Sequence, residues 1–302
     1  MLASATNLLS FRPMPRAAAS VALGDPALWA NFWRTADLDG CTRAFPDAVR
    51  GNVTARWRAL FAGQLTDATV LDIGCGRGAV LSQARAAGLV QLRGVDYASI
   101  DAPGFAVTLA DARALPFADR SFDIVTSQFG VEYAGVGAIV EAARVCASRL
   151  WLLLHSVEGP VHAHAIEQIE HAEWLAGPAA AFARLDAHFR APSPASAADI
   201  DALRAAIVSL ADRAHNVAVL EGVWHAIPTL QDAADPRAAT AVLGRDVGDH
   251  AARLRAMTAA ALIADDTAGI ASDLTKAGFD VVVEDLNTPP AARWLFATRV
   301  SS

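Results

Sequence analysis

The sequence predicts an α/β fold in which short strands alternate with helices. Residues 70–73 form an apolar run of strand composition, and residues 79–88 have helical composition that stops at a glycine. A second apolar run ends at residues 94–96, and a further one covers residues 122–128. Because alternating strands and helices are typical of parallel sheets, we expect an open α/β sheet.

A glycine-rich turn joins the first strand to its helix. Gly74, Gly76 and Gly78 lack a Cβ atom, so a ligand can approach the backbone N–H groups at the positive end of the helix. Together with Ala79 the turn also satisfies the dinucleotide pattern G-x-G-x-x-G/A. The turn therefore predicts a nucleotide-type ligand without identifying it.

Three acidic residues narrow the choice of ligand. Asp72 lies two residues before the first glycine, where a carboxylate would pair with a cationic amino group but gain nothing from a pyrophosphate. Asp96 ends the second strand, where ribose hydroxyls could donate to it. Asp111 and Ala112, followed by residues 115–125, add a third acid at a third strand-to-helix edge.

In combination, these motifs resemble the class I S-adenosylmethionine-dependent methyltransferases, particularly the small-molecule group that includes the ubiquinone and menaquinone methyltransferases. The resemblance covers residues 70–156 and returns at residues 274–300. It implies S-adenosyl-L-methionine as cofactor. It also implies a Rossmann-like seven-stranded sheet in the order 3-2-1-4-5-7-6, with strand 7 antiparallel.

The resemblance also implies roles for the predicted cofactor residues. Asp72 would lie near the methionyl ammonium, and the three glycines would pass under the methionyl and ribose parts. Asp96 would accept hydrogen bonds from the ribose hydroxyls, and Tyr97 would pack on adenine. Asp111 and the backbone of Ala112 would read the adenine edge.

The chain is expected to divide into a core and three additions. Residues 1–24 predict a flexible N-terminal extension, with a transit peptide as the alternative because residues 1–22 contain arginine and serine but no acid. Residues 25–65 predict helices over the cofactor. Residues 66–160 and 266–302 would form the methyltransferase core. A helical insertion, residues 161–265, separates strand 5 from the last helix and would be a lid or substrate subdomain, or else a dimer surface.

The local structure of two further segments of the core can be predicted from their length and composition. Only residues 97–104 separate the second strand from the third, whereas a parallel crossover normally takes a dozen or more. The usual second helix should therefore be reduced to a turn or lost, which leaves the adenine side more open or covered by another part of the chain. Residues 141–149 are predicted as helix and residues 150–156 as the fifth strand.

The ends of the fourth and fifth strands should face the transferred methyl group. Gln128 is assigned to the cofactor, and Trp33, Glu132 and Tyr133 to the acceptor. Core packing is the alternative for Trp33, and a surface position at a helix start is the alternative for Glu132 and Tyr133. His155, at a strand end, has a pKa range suited to taking a proton from a hydroxyl and is the candidate general base. Its alternative role is a hydrogen bond to the following loop.

Composition excludes several classes of function. A net charge of −7 and a single lysine argue against nucleic acid as a partner. Three scattered cysteines form neither a disulfide framework nor a zinc half-site, and no apolar run is long enough to span a membrane. His162 and His164 are not spaced to share a helical face, so no metal is expected. A cytoplasmic protein is predicted, with a homodimer as an option.

The sequence therefore predicts methyl transfer to a small-molecule acceptor by in-line displacement, with O-methylation favoured. A non-catalytic protein that binds S-adenosylmethionine or S-adenosylhomocysteine would share every cofactor residue. An NAD-dependent dehydrogenase would use the same glycine turn, but it would leave Asp72 and Asp111 unexplained.

Overall fold

The computed structural model describes residues 23–38, 40–43 and 45–300, apart from the side chain of Cys41. Of the extension predicted at residues 1–24, residues 1–22 lie outside the described part of the chain. None of the described helices combines the length and the hydrophobicity that a membrane crossing requires.

One seven-stranded sheet forms the centre of the fold, in the order β3-β2-β1-β4-β5-β7-β6. The strands are β1 Thr69–Ile73, β2 Gln91–Asp96, β3 Ala106–Leu109, β4 Phe122–Gln128, β5 Cys146–His155, β6 Phe279–Leu286 and β7 Ala292–Arg299. Strands β1 to β5 pair in parallel, and β7 is antiparallel to both β5 and β6. The predicted strand order and the antiparallel seventh strand are confirmed.

Helices cover both faces of the sheet. They are α1 Pro26–Thr35, α2 Asp47–Phe61, α3 Ala79–Ala86, α4 Val136–Val145, α5 Pro160–Ala176, α6 Ala181–Arg190, α7 Pro194–Ala211, α8 Ala218–Gln231, α9 Pro236–Ala260 and α10 Ala264–Lys276. Helices α2 and α3 bury Trp57 and Leu81 in the core on one face. Helices α4 and α10 bury Ile139 and Ile270 in the core on the other.

The crossover between β2 and β3 contains no helix, as its length predicts. Phe105, the last residue of this short loop, packs its ring against Gly78 at the start of α3. The guanidinium of Arg85 lies 4.0 Å from the centroid of the same ring. Part of the space that a second helix would cover is therefore filled by a phenylalanine held between α3 and the glycine turn.

The predicted boundary between the fourth helix and the fifth strand is wrong. Helix α4 ends at Val145, and β5 begins at Cys146 rather than Leu150. Cys146 pairs with Phe122, and Arg149 pairs with Ile124 across a register shift in β4. Because Cys146 and Arg149 pair with β4, tertiary pairing overrides the helical composition of this segment.

The insertion between β5 and α10 consists of α5 to α9. These helices share an apolar core of their own, which includes Leu175, Leu185, Leu203 and Leu220. Helix α9, with 25 residues, contacts both α1 and the 3₁₀ turn Val131–Ala134 that follows β4. The insertion thus lies beside the carboxyl ends of the central strands, where an open α/β sheet places its ligands.

Candidate active site

The glycine turn after β1 has the conformation that its sequence requires. Gly74, Gly76 and Gly78 have φ angles of +67°, +49° and +88°, in the region that residues with a Cβ atom rarely adopt. A Cβ atom on Gly74 would lie 2.8 Å from the Cα atom of Gly130, and one on Gly76 would lie 2.4 Å from the ring of Trp33. Close packing and backbone conformation therefore both select glycine here.

A cleft opens between this turn, the ends of β2 and β4, and α1. Its cavity has a volume of about 60 Å³, since the rings of Trp29 and Trp33 reach into it from α1. Of the predicted site residues, those that line the cleft are Trp33, Gly74, Asp96, Tyr97, Ala112 and Tyr133. The cleft therefore brings together the predicted ribose, adenine and acceptor residues from five separate segments of the chain.

Asp96 is held at the carboxyl end of β2 by backbone donors. Its Oδ2 atom accepts a hydrogen bond of 2.9 Å from Gly76 N, and its Oδ1 atom accepts one of 3.0 Å from Ala98 N. Burial raises the pKa of this carboxyl, and these hydrogen bonds act against the rise. The contact with Gly76 also fixes the carboxylate to the middle of the glycine turn.

Asp72 is buried in β1 with one side-chain partner, the hydroxyl of Thr126, at 2.9 Å. The pKa of Asp72 is raised to about 8, because burial and the negative charge of Asp96 outweigh the opposing effect of the Thr126 hydrogen bond. No described lysine or arginine forms an ion pair with either acid. A cation bound beside the two carboxyls would favour their ionised forms. The two carboxyls are therefore suited to a ligand with an ammonium or sulfonium group.

Five of the predicted cofactor residues do not line the cleft, namely Asp72, Gly76, Gly78, Asp111 and Gln128. Asp111 is engaged by Arg113, whose Nη2 atom donates to Oδ2 at 2.6 Å, and this hydrogen bond lowers the pKa of Asp111. Gln128 accepts a 2.6 Å hydrogen bond from the indole N–H of Trp57 in α2. Their contacts with a cofactor stay predictions.

A second, larger cavity of about 550 Å³ lies between the core, α1 and the insertion. The polar and aromatic residues of its wall are Trp29, Phe32, Arg43, Tyr133, His155, His164, Gln168, Asn216, His250 and Arg253. Trp29 and Tyr133 line this cavity and the smaller cleft alike, and their ring centroids are 5.2 Å apart at 83°. The two cavities therefore meet at one aromatic pair.

His155 and Glu132 form a buried pair at the wall of the larger cavity. His155 Nδ1 lies 2.8 Å from Glu132 Oε1, and the same oxygen accepts a 3.1 Å hydrogen bond from the backbone N–H of His155. If Nδ1 carries the ring proton, Nε2 is left as the basic nitrogen. Glu132 Oε2 is buried without a hydrogen-bond partner among the described residues.

The alternative role predicted for His155 was a hydrogen bond to the following loop. The imidazole bonds to Glu132, which the sequence assigned to the acceptor, and the loop residue Glu158 bonds instead to Arg293. The residues of the pair are 23 positions apart, in the 3₁₀ turn after β4 and at the end of β5. No local pattern links them, since only the parallel pairing of β4 with β5 places their segments side by side.

Trp29 and Phe129 are site residues that the sequence analysis missed. Phe129 lines the cleft, has a φ angle of +55° and places its ring centroid 4.3 Å from that of His155. A phenylalanine in the left-handed region costs on the order of 1–3 kcal/mol, so the surrounding packing must hold it there. The sequence carries no signal for this conformation.

No metal is expected from the sequence at His162 and His164, and this stays a prediction. Across the described ranges, no three histidine, cysteine, aspartate or glutamate side chains converge closely enough to hold a metal ion. His164 lines the larger cavity, and His171 is buried in α5.

Comparison with known proteins supports the assignment of the core. Residues 71–154 match a family described as a methyltransferase domain. Curated proteins give no match.

Several solved structures are similar to the chain in part or in whole. The cyclase SpnF is 20% identical over 34% of this chain and 43% of its own, with a TM-score of 0.31. A putative methyltransferase in complex with the Haloferax volcanii Trm112 methyltransferase activator is 21% identical over 49% of this chain and 65% of its own, with a TM-score of 0.36. This chain thus spans less than two thirds of those two proteins.

A longer match is magnesium protoporphyrin IX methyltransferase from Synechocystis PCC 6803 with bound S-adenosylmethionine. It is 14% identical over 93% of this chain and 100% of its own, with a TM-score of 0.43. The family match covers the segment that carries the glycine turn, the acids and strands β1 to β5. Residues 71–154 of the chain are therefore identified as a methyltransferase domain.

Proposed function

We propose that the protein transfers a methyl group from S-adenosylmethionine to a small molecule bound in the larger cavity. The observation that carries this proposal is the meeting of the two cavities at Trp29 and Tyr133. A transferase needs its two substrates in contact at their reacting ends, and these cavities share a wall at one place. The pair His155–Glu132 lies beside Tyr133, whose ring centroid is 5.8 Å from that of His155.

The residues of the cleft fit the cofactor by their chemistry. Asp96 offers carboxylate oxygens to ribose hydroxyls, and the glycine turn offers backbone N–H groups without steric obstruction. Asp72 is a buried carboxyl with a raised pKa, and a cationic ligand bound beside it would favour its ionised form. When bound, S-adenosylmethionine would supply a methyl group that its sulfonium already activates.

Entry of the cofactor requires α1 to move. Pockets for small molecules usually have volumes of about 300–1,000 Å³, whereas the cleft beside the glycine turn has about 60 Å³. Trp33 lies directly over Gly76, and Arg77 donates a 2.9 Å hydrogen bond to the carbonyl of Ala36 just beyond α1. Opening of α1 would admit the cofactor, and its return would exclude water from the reaction.

The chain's own part in the reaction is to orient the acceptor and take a proton. Glu132 fixes the orientation of the His155 ring. Nε2 would accept the proton of an acceptor hydroxyl while the hydroxyl oxygen attacks the methyl carbon in line with the sulfur–methyl bond. This base is the reason for favouring O-methylation. The cytoplasmic location and the homodimer stay predictions.

Isothermal titration with S-adenosylhomocysteine tests the cofactor assignment. We expect binding by the wild type and a loss of about tenfold to a hundredfold in Asp96→Ala, because a buried hydrogen-bonded contact is removed. Asp96→Asn keeps the size of the side chain, and Asp280→Ala on the outer strand β6 is a matched control that should bind as the wild type does. Failure of the wild type to bind, or binding of NADH in its place, would contradict the proposal.

A further inference from the structure

The larger cavity has a charge opposite to that of the protein as a whole. The chain carries 32 acidic and 25 basic residues, with a net charge of −7. Two arginines and three histidines line the cavity, and no aspartate or glutamate among the described residues does. The charged side chains that an acceptor would meet among the described residues of this wall are therefore positive.

Arg253 is the arginine that lies deeper in this wall. It belongs to α9, is half-buried, and places its guanidinium carbon 4.8 Å from the ring centroid of Phe32 in α1. Within the described residues it forms no salt bridge, whereas its neighbour Arg255 pairs with Glu173 and the cavity residue Arg43 pairs with Asp37 at the surface. Arg253 is therefore a cavity arginine that has no salt bridge with a carboxylate among the described residues.

The pKa values of Arg253 and His250 indicate that the positive charge of Arg253 is only partly compensated. Burial lowers the pKa of Arg253, and Asp249 and Asp246 on the same helix only partly offset this effect. Burial and the charge of Arg253 lower the pKa of His250 to about 4, so this histidine is neutral near pH 7. A bound anion would relieve both shifts, because it favours the protonated form of each group.

The remainder of the wall is suited to an apolar body. Val161 and Ala165 of α5 and Leu254 and Met257 of α9 line the cavity, along with the rings of Phe32 and Trp29. A cavity of about 550 Å³ falls within the range for drug-sized ligands. One guanidinium balances one negative charge, and its planar fork matches a carboxylate through two parallel hydrogen bonds.

We propose that the methyl acceptor is a small apolar acid whose carboxylate is bound by Arg253 of α9. This inference rests on the proposed function, since it concerns the acceptor side of the same site. The carboxylate would anchor the molecule to the insertion, while its other end reaches the aromatic pair Trp29 and Tyr133 where the two cavities meet. The insertion would then select the acceptor by charge, and the core would supply the cofactor and the base.

Binding of matched acids and amides tests this inference. The titrations use full-length protein saturated with S-adenosylhomocysteine and pairs of aromatic acids with their primary amides, from benzoate and benzamide to 2-naphthoate and 2-naphthamide. We expect the wild type to prefer acids over amides by about tenfold to a hundredfold, because a charged hydrogen-bonded pair is replaced by a neutral one.

Three variants locate the preference. Arg253→Met keeps an apolar stem and should bind acids and amides about equally, whereas Arg253→Lys keeps the charge and should keep part of the preference. Arg255→Met removes an arginine two residues away that lies outside the cavity wall, and should behave as the wild type does.

The outcomes separate this inference from the proposed function. If the wild type does not bind S-adenosylhomocysteine, the proposed function fails. If it binds the nucleoside but prefers no acid over its amide, only the present inference is overturned, and this result does not depend on whether Arg253→Met folds. The inference would also be overturned if Arg253→Met lost the same factor of affinity for the acid and for the amide, so that the wild-type preference for the acid stayed unchanged. Arg253 would then serve only to pack against Phe32.

Discussion

The cleft beside the glycine turn and the larger cavity differ in size, in charge and in how the chain builds them. The cleft has about 60 Å³ and adjoins the two buried acids Asp72 and Asp96. The cavity has about 550 Å³, and no acid is found in its wall within the part of the chain that the structure describes. The cleft is built from short motifs at the ends of β1, β2 and β4 together with α1. The larger cavity arises only when the insertion packs against α1 and the core.

This difference indicates that the two sites bind different substrates. A cationic cofactor fits the acidic cleft, and an anionic acceptor fits the basic cavity, so the two substrates would be sorted by charge before they meet at Trp29 and Tyr133. A change on one side should therefore affect one substrate and spare the other. Each of the following predictions uses that separation.

The largest effect is expected at His155. His155→Ala removes the proposed base and should reduce turnover by about 10²–10⁴-fold, the usual contribution of general base catalysis. Affinity for S-adenosylhomocysteine should stay unchanged, because the imidazole lines the larger cavity only. The measurement is initial rate with an identified acceptor, beside titration with the nucleoside. Undiminished turnover would remove His155 from the mechanism.

Gly76→Ala should act on the opposite side. The added methyl group would lie 2.4 Å from the ring of Trp33, at a φ angle of +49°, so the turn and α1 must both shift. We expect cofactor affinity to fall by at least about tenfold, as a strain of 1–3 kcal/mol is introduced where the cofactor would bind. Gly51→Ala, in an open position on α2, is the matched control. Equal nucleoside affinity of Gly76→Ala and the wild type would show that the turn does not contact the cofactor.

The pH dependence of cofactor binding should follow Asp72. A cation favours the ionised carboxylate, and the pKa of Asp72 in the free protein is about 8. Affinity for S-adenosylmethionine should therefore rise as pH increases from 6 towards 8, by up to about tenfold per pH unit, and level off above that value. Asp72→Asn cannot ionise and should abolish the rise. A wild-type affinity that is constant over this range would separate Asp72 from the cofactor.

The smallest effect is expected for Gln128. Gln128→Leu leaves the indole N–H of Trp57 without its partner and should lower the free energy of unfolding by about 1–3 kcal/mol. Urea denaturation measures this loss. Titration with S-adenosylhomocysteine decides the role that the sequence predicts for Gln128: unchanged affinity would limit the side chain to holding α2, and weaker binding would support a cofactor contact.

The same contrast explains how much of the molecule could be predicted from the sequence. The short β2–β3 crossover follows from the spacing of the first strands, and the strand order is implied by the family resemblance. The pairing of Glu132 with His155, the role of Trp29 and the position of Arg253 depend on which segments fold side by side. Single-sequence patterns do not contain that information, because these contacts join residues from different strands and helices.

The crystal structure of the protein with S-adenosylhomocysteine bound is the most direct test of the central claim. We expect the ribose to lie at Asp96 and the sulfur atom to lie at the opening between Trp29 and Tyr133, where it faces the cavity that contains His155. A nucleoside whose sulfur points away from that opening, or a closed wall between the two cavities in the complex, would contradict the claim that they form one active site.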